Sequence, residues 1–183
     1  MKPVINIFTI IFLISTSGFA QKYITKNGNI GFYSEARIEN IEAYNNQVNC
    51  ALDIKTGDFV FKVLIKSFEF QKALMQEHFN ENYLESDKYP ASTFIGKVTN
   101  IGEMDLSKNG SYKAKVEGDL IIHGITKKIA VDGTFNVKDG KINGKSRFNL
   151  KVKDFDIKIP AAKVNNIAET IEVRVDVTLS PLK

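Results

Sequence analysis

The sequence predicts an all-β fold of antiparallel strands with one short helix. Three observations carry that expectation. Apolar and polar residues alternate with a period of two through most of the chain after residue 20, the pattern of strands with one buried face. Short turn signatures separate the alternating runs: "KTGD" at 55–58, "SKNG" at 107–110, "HG" at 123–124 and "DG" at 139–140. Only one segment of any length, "SFEFQKALMQEHFNENYL" at 67–84, has helical spacing.

The chain opens with "MKPVINIFTIIFLISTSGFAQK", in which one lysine precedes an apolar run and the small residues Gly18 and Ala20 close it. This reads as a secretory signal peptide over 1–20, cut after Ala20, with residues 21–183 forming one domain in the periplasm or outside the cell. The apolar run is short and interrupted by Asn6 and Thr9, whereas a bilayer span needs ~20 residues. No cysteine follows the cut and no later stretch is long and apolar, so no lipid attachment there and no transmembrane anchor are expected. Losing Lys2 lowers the formal net charge of +4 by one. Charges of both signs remain scattered, without a basic cluster interleaved with aromatics, which argues against nucleic-acid binding. Cys50, the lone cysteine, has no partner in the chain and reads as a half-buried free thiol.

Strands follow in order. Less regular runs lie at 29–38 and 41–52. In "FVFKVLIK", Phe59, Phe61, Val63 and Ile65 share a face opposite Lys62 and Lys66. Beyond the helix, where Phe70, Ala73, Leu74 and His78 form the expected stripe and Ser67 the N-cap, another run covers 91–103 and includes Phe94. Tyr112, Ala114, Val116, Gly118, Leu120 and Ile122 oppose Lys113, Lys115, Glu117 and Asp119. Ile129, Val131, Gly133, Phe135 and Val137 form the next inward face; Ile142, Phe148, Leu150 and Val152 the one after; Ile171, Val173, Val175, Val177 and Leu179 the last. The irregular "IPAAKVNNIAE" precedes that final strand. Short turns between neighbours make about eight antiparallel strands, which can build either a sandwich or a closed barrel; closure removes exposed edges. An eight-stranded barrel is wide enough to be packed solid or to hold one small ligand. Small inward residues, Ala114, Gly118, Gly133, Gly144 and Ser146, favour a cavity, although strand glycines also mark bends.

Three stretches carry a family resemblance: "KYPASTF" at 88–94, "EGDLIIHGITKKI" at 117–129 and "RFNLKVKDFDIKIP" at 147–160. With "VLIKSFEF" and its following His-containing helix in the same order, the chain resembles the YceI-like family of exported lipid- or polyisoprenoid-binding proteins over essentially all of residues 21–183. The resemblance implies an eight-stranded lipocalin-like barrel whose apolar tunnel holds an isoprenoid or another long-chain amphiphile as ligand, with no cofactor and no agreed enzymatic activity. Lys127 and Lys128 depart from the Lys-Pro of many members, which alters a strand entry rather than the tunnel.

The expected lumen wall comprises Phe32, Phe59, Phe61, Val63, Phe94, Tyr112, Ala114, Val116, Leu120, Ile129, Val131, Gly133, Phe135, Phe148 and Leu150. Each aromatic alone fits an ordinary core equally well; as a set beside small residues they favour a wall. On this assignment Ala114→Phe or Gly133→Leu would fill the lumen. Ser34, Asn46 and Ser146 are polar residues on apolar faces that could meet a headgroup, a water or backbone. His123 reads as a turn residue beside Gly124, tolerant of positive φ, rather than a catalytic or metal group. His78 lies off the Glu77–Glu81 face and makes no zinc motif; a solvated helix face is expected. No nucleophile motif or phosphate loop is present, and no catalytic residue or metal ligand is assigned. The leading expectation is a carrier or sequestering protein, for which the sequence also allows a homodimer. The alternatives are a lipid isomerase or hydrolase with an acid–base pair inside the barrel, and a dry barrel acting through protein contacts in envelope stress.

Overall fold

The alternating runs become nine strands in the computed structural model, which describes residues 21–182. They are β1 (Lys22–Glu35), β2 (Asn40–Asp53), β3 (Asp58–Leu64), β4 (Glu69–Phe70), β5 (Ala91–Val98), β6 (Gly110–Ile122), β7 (Ile125–Lys138), β8 (Lys141–Lys151) and β9 (Thr170–Pro181). The sheet runs β1-β9-β8-β7-β6-β5-β3-β2 and closes by pairing β2 with β1, so eight antiparallel strands form a barrel. The expectation of a closed barrel rather than a sandwich is met. β4 is an addition: two residues pairing with Ala43 and Tyr44 of β2. It continues the ladder that β3 leaves when the chain enters a 3₁₀ turn at Ile65–Ser67. Asn45, fully buried, bridges that interruption by donating to the Leu64 carbonyl (2.8 Å) and accepting from the Gln47 amide (2.9 Å). The signal peptide expected over 1–20 lies outside the described residues.

Two-residue hairpins lock the register on the β6–β7–β8 side. Ile122 pairs with Ile125 across His123 (φ 51°) and Gly124 (φ 76°), and Lys138 with Lys141 across Asp139 (φ 51°) and Gly140 (φ 71°). Positive φ at both central residues is the type I′ geometry that matches strand twist. The turn role expected for His123 is met.

Three expectations shift. β1 begins at Lys22 rather than 29, because irregularities between Thr25 and Ile30 break its alternation at Gly28. β5 ends at Val98 rather than 103, where Ile101–Glu103 turns into 3₁₀. The helix, α1, is only Ala73–His78, followed by a turn of π-helix, Phe79–Tyr83. Ser67 belongs to the preceding 3₁₀ turn and caps nothing; Lys72 occupies the N-cap without a side-chain bond. The expected stripe holds only in part: Phe70 and the exposed His78 reach the cavity, but Ala73 and Leu74 are exposed, Leu74 at 60%, and Met75, Phe79 and Tyr83 face inward instead.

Strand glycines serve close approach. Gly96 and Gly118 face each other across β5 and β6; a Cβ on Gly118 would lie 2.5 Å from the Ile95 carbonyl and 2.8 Å from the Phe94 ring. Gly118→Ala must push backbone apart and should lower unfolding stability by about 2 kcal/mol, read by urea denaturation. Wild-type stability in this variant would contradict the packing described.

Candidate functional site

One end of the barrel is packed solid and the other is hollow. Tyr23, Leu52, Leu106, Val137, Ile142 and Leu179 fill the solid end, each less than a tenth exposed, beneath the turns at 54–57, 99–109 and 139–140. Cys50 is buried in this cluster, and desolvation pushes its thiol well above the ordinary range. Toward the opposite end opens a cavity of about 330 Å³, at the lower end of the range for small-molecule sites. Four segments cover it: the β1–β2 loop at 36–39, the excursion 65–90 that includes α1, the His123 turn, and a strap at 152–169.

Phenylalanines dominate the wall in two groups. Phe59 meets Phe61 (4.7 Å between centroids) and Phe135 (5.8 Å), with Phe61 on Phe94 (6.2 Å). Nearer the helix, Phe32 stacks on Phe79 (5.5 Å) and touches Phe68 and Phe70. Their mostly edge-to-face and tilted contacts hold the rings as a preformed surface. Burial against this wall raises the Tyr83 phenol above its usual pKa.

Of the residues assigned to the lumen from sequence, Phe32, Phe59, Phe61, Val63, Phe94, Val116, Leu120, Ile129, Val131, Phe135, Phe148 and Leu150 line this cavity. Tyr112, Ala114 and Gly133 do not. Ala114 is packed in the solid end, and a Cβ on Gly133 would meet the Lys145 carbonyl at 2.9 Å rather than open space. Tyr112 packs against the same end and donates its hydroxyl to the Asp105 carbonyl (2.7 Å). Ala114 and Tyr112 lie farther along β6 than Val116, toward the solid end, whereas Gly133 sits on β7 between Val131 and Phe135, which do line the cavity, and is itself closed in by the backbone of β8, so these small residues mark tight packing rather than a void. Among the polar candidates, Ser34 and Ser146 line the cavity and Asn46 does not. A break in the β1–β2 register between Asn45 and Val48 flips the alternation, so Asn45 is buried and Asn46 is exposed beside Asn29.

Four Ser and Thr hydroxyls line the cavity, those of Ser34, Ser92, Thr93 and Ser146, and two of them have protein partners. Ser146 Oγ donates to the Asp132 carbonyl (2.6 Å), and Ser34 Oγ accepts from the Ala168 amide (2.9 Å), tying the strap to β1. Glu39 is the single carboxylate of the wall, and it pairs with Lys72. Glu42, Glu172, Asp119 and Asp176 form ion pairs with Arg174, Lys128 and Lys145 instead, and none of the four lines the cavity. His78 is exposed, as expected of a solvated helix face, shares a hydrogen bond with Asn82 (2.9 Å), and also reaches the cavity wall.

Sequence reasoning saw the turn at His123 but missed what its ring does. Nδ1 is hydrogen-bonded with the Phe155 carbonyl (3.1 Å) in the strap and Nε2 with the Glu85 carboxylate (2.7 Å) after the helix, while Tyr89 packs on the ring at 4.6 Å. Both ring nitrogens thus face oxygens of the covering segments. His123 thereby clamps two of the segments that cover the cavity. Also unassigned from sequence were Met75, Phe79 and Tyr83, the last two in the π-helical turn that follows α1, and Ile157, Ile159 and Ile167 of the strap. The alternation of "FDIKIP" was the one signal for the first two of these strap residues.

A closed antiparallel barrel, solid at one end and hollow with an aromatic wall at the other, defines a lipocalin-like container. Residues 22–179 match the YceI-like domain, and the chain belongs to that family. It is 34% identical over 90 residues to a UPF0312 protein of Pseudomonas savastanoi pv. phaseolicola, a match covering 44% of this chain and 42% of the relative. A UPF0312 protein of Pseudomonas putida is 32% identical over 98 residues, covering 50% and 47%. The chain thus spans less than half the length of these relatives. Among solved structures, a polyisoprenoid binding domain from Saccharophagus degradans implicated in plant cell wall breakdown superposes with a TM-score of 0.77 at 13% identity, covering 89% of this chain and 99% of that one. BcnA of Burkholderia cenocepacia gives 0.67 at 15% identity, covering 84% and 96%. At these identities the likeness speaks for the fold.

Proposed function

We propose that the protein is an exported carrier or sequestering protein that encloses one long-chain amphiphile, an isoprenoid or a similar apolar chain, without performing chemistry on it. The observation that carries this reading is the 330 Å³ cavity with an aromatic and aliphatic wall. Such a wall binds by desolvation, worth ~0.8 kcal/mol per buried methylene. With the Ser34 and Ser146 hydroxyls partnered inside the protein and most of the wall aromatic or aliphatic, desolvation of the chain outweighs headgroup chemistry. The solved polyisoprenoid binding domain shares the fold, which supports the choice of ligand class. Export rests on the N-terminal sequence "MKPVINIFTIIFLISTSGFAQK". The cavity speaks against a dry barrel, and the ion pairing of the carboxylates away from the cavity speaks against acid–base catalysis inside it. Mass spectrometry of organic extracts from gently purified protein tests the proposal. A long-chain amphiphile in near-stoichiometric amount is expected; protein that extracts empty and takes up no added isoprenoid or acyl chain would overturn it.

A further inference from the structure

Four large apolar side chains are more than half exposed among the described residues: Ile38 (69%), Leu74 (60%), Ile95 (59%) and Val164 (57%). Ile95 lies on the barrel's outer wall in β5. The other three stand at the hollow end, one on each of three segments that cover the cavity: the β1–β2 loop, α1 and the strap. These segments touch one another. The Ile38 amide donates to the Asn165 carbonyl (3.0 Å), next to Val164, and Glu39 pairs with Lys72, two residues before Leu74. Their other residues, Glu39, Met75, His78, Lys163 and Asn166, line the cavity. The apolar tips therefore form a rim around its mouth. Two of them are flanked by cations, Arg37 beside Ile38 and Lys163 beside Val164, and neither cation pairs with a carboxylate among the described residues.

We propose that this rim is a membrane-docking surface: Ile38, Leu74 and Val164 enter the headgroup–acyl boundary of an anionic bilayer, with Arg37 and Lys163 on its phosphates, so that the cavity mouth opens onto lipid. Separate apolar tips beside basic residues are the pattern of interfacial insertion, whereas a protein partner's core contact calls for a contiguous, closely packed patch. A bilayer also deforms around an opening, so an apolar chain passes between membrane and cavity without crossing water. The inference rests on reading the cavity as a lipid site, and the two are separable by experiment.

Wild type and an Ile38→Asp/Leu74→Asp/Val164→Asp variant, purified from cells making the full chain and matched for N-terminus by sequencing, are compared by flotation with phosphatidylethanolamine–phosphatidylglycerol vesicles and with phosphatidylcholine vesicles. Circular dichroism verifies the fold, and calorimetry with dilute farnesol reads the cavity alone. Wild type is expected to float with the anionic vesicles, and the variant at least tenfold less while binding farnesol as wild type does. Arg37→Gln/Lys163→Gln should weaken anionic-vesicle binding roughly tenfold and remove most of its salt dependence. Should the triple variant misfold, Leu74→Asp alone is scored, since its side chain is exposed. Equal flotation of folded variant and wild type overturns the proposal, as does a wild type that floats with neither vesicle. So does a wild-type dimer that the variant splits without any vesicle binding, which would assign the rim to a second copy. Loss of farnesol binding in wild type would instead strike the cavity reading.

Discussion

Val131→Phe is expected to weaken binding of an isoprenoid or acyl ligand about a hundredfold while the barrel stays folded. Val131 lines the cavity from β7, opposite Val116 of β6, and is only partly buried, so a larger side chain there grows into the void rather than into a neighbour. Phenylalanine adds about four carbons, displacing a similar length of ligand chain; at ~0.8 kcal/mol per methylene that removes ~3 kcal/mol. A factor of ten corresponds to ~1.4 kcal/mol, hence about two decades in Kd, measured by calorimetry on variants whose circular dichroism matches wild type. Ala114→Phe makes the contrast. Its site is 1% exposed within the solid end, so the same added bulk should destabilise the barrel instead of blocking the ligand. If Ala114→Phe folded normally and lost ligand while Val131→Phe bound as wild type, the hollow and solid ends would be reversed.

His123→Val should lower stability by about 3 kcal/mol or more, and His123→Asn by about 1–2. Valine opposes the left-handed backbone (φ 51°), a cost of ~1–2 kcal/mol, and loses both ring hydrogen bonds. Asparagine keeps the backbone tolerance, so a turn-only role would make it neutral. Its shorter side chain cannot span from the Phe155 carbonyl to Glu85, whose own carboxylate is partly exposed and so gains only modestly from the pair. Because the ring clamps the strap to the segment after the helix, ligand should also leave faster from His123→Asn than from wild type. Urea unfolding and a ligand-release time course check the two halves. An Asn variant with wild-type stability and release would reduce His123 to its turn.

Alternation told which way a side chain points but not how far along the barrel it sits. Val116 and Ala114 share an inward face on β6, yet one lines the cavity and the other the solid end, because the boundary is set by which loops fold over each mouth. The inference from glycines failed for a related reason. Gly118 and Gly133 are small because carbonyl oxygens of neighbouring strands approach them, a contact invisible in a single strand's pattern. Asn46 was misplaced by one residue because the irregularity between Asn45 and Val48 depends on how β1 pairs with β2. The tight turns, by contrast, were legible in full: His123–Gly124 and Asp139–Gly140 are local, and positive φ selects for them directly. The rim was not legible at all, since Ile38 and Val164 are 126 positions apart and the segments that carry them are joined by a hydrogen bond from Ile38 to Asn165 that no sequence pattern announces.

Affinity across a homologous series of linear chains, from short alcohols to long isoprenoids and fatty acids, tests enclosure most directly. Binding should strengthen by roughly threefold to fourfold per added methylene, the equivalent of ~0.8 kcal/mol, until the cavity is full, and then level off. Exchanging the headgroup at fixed chain length should change it far less. The same series on Val131→Phe should level off about four carbons earlier. An affinity that ignores chain length and follows the headgroup would contradict an apolar container.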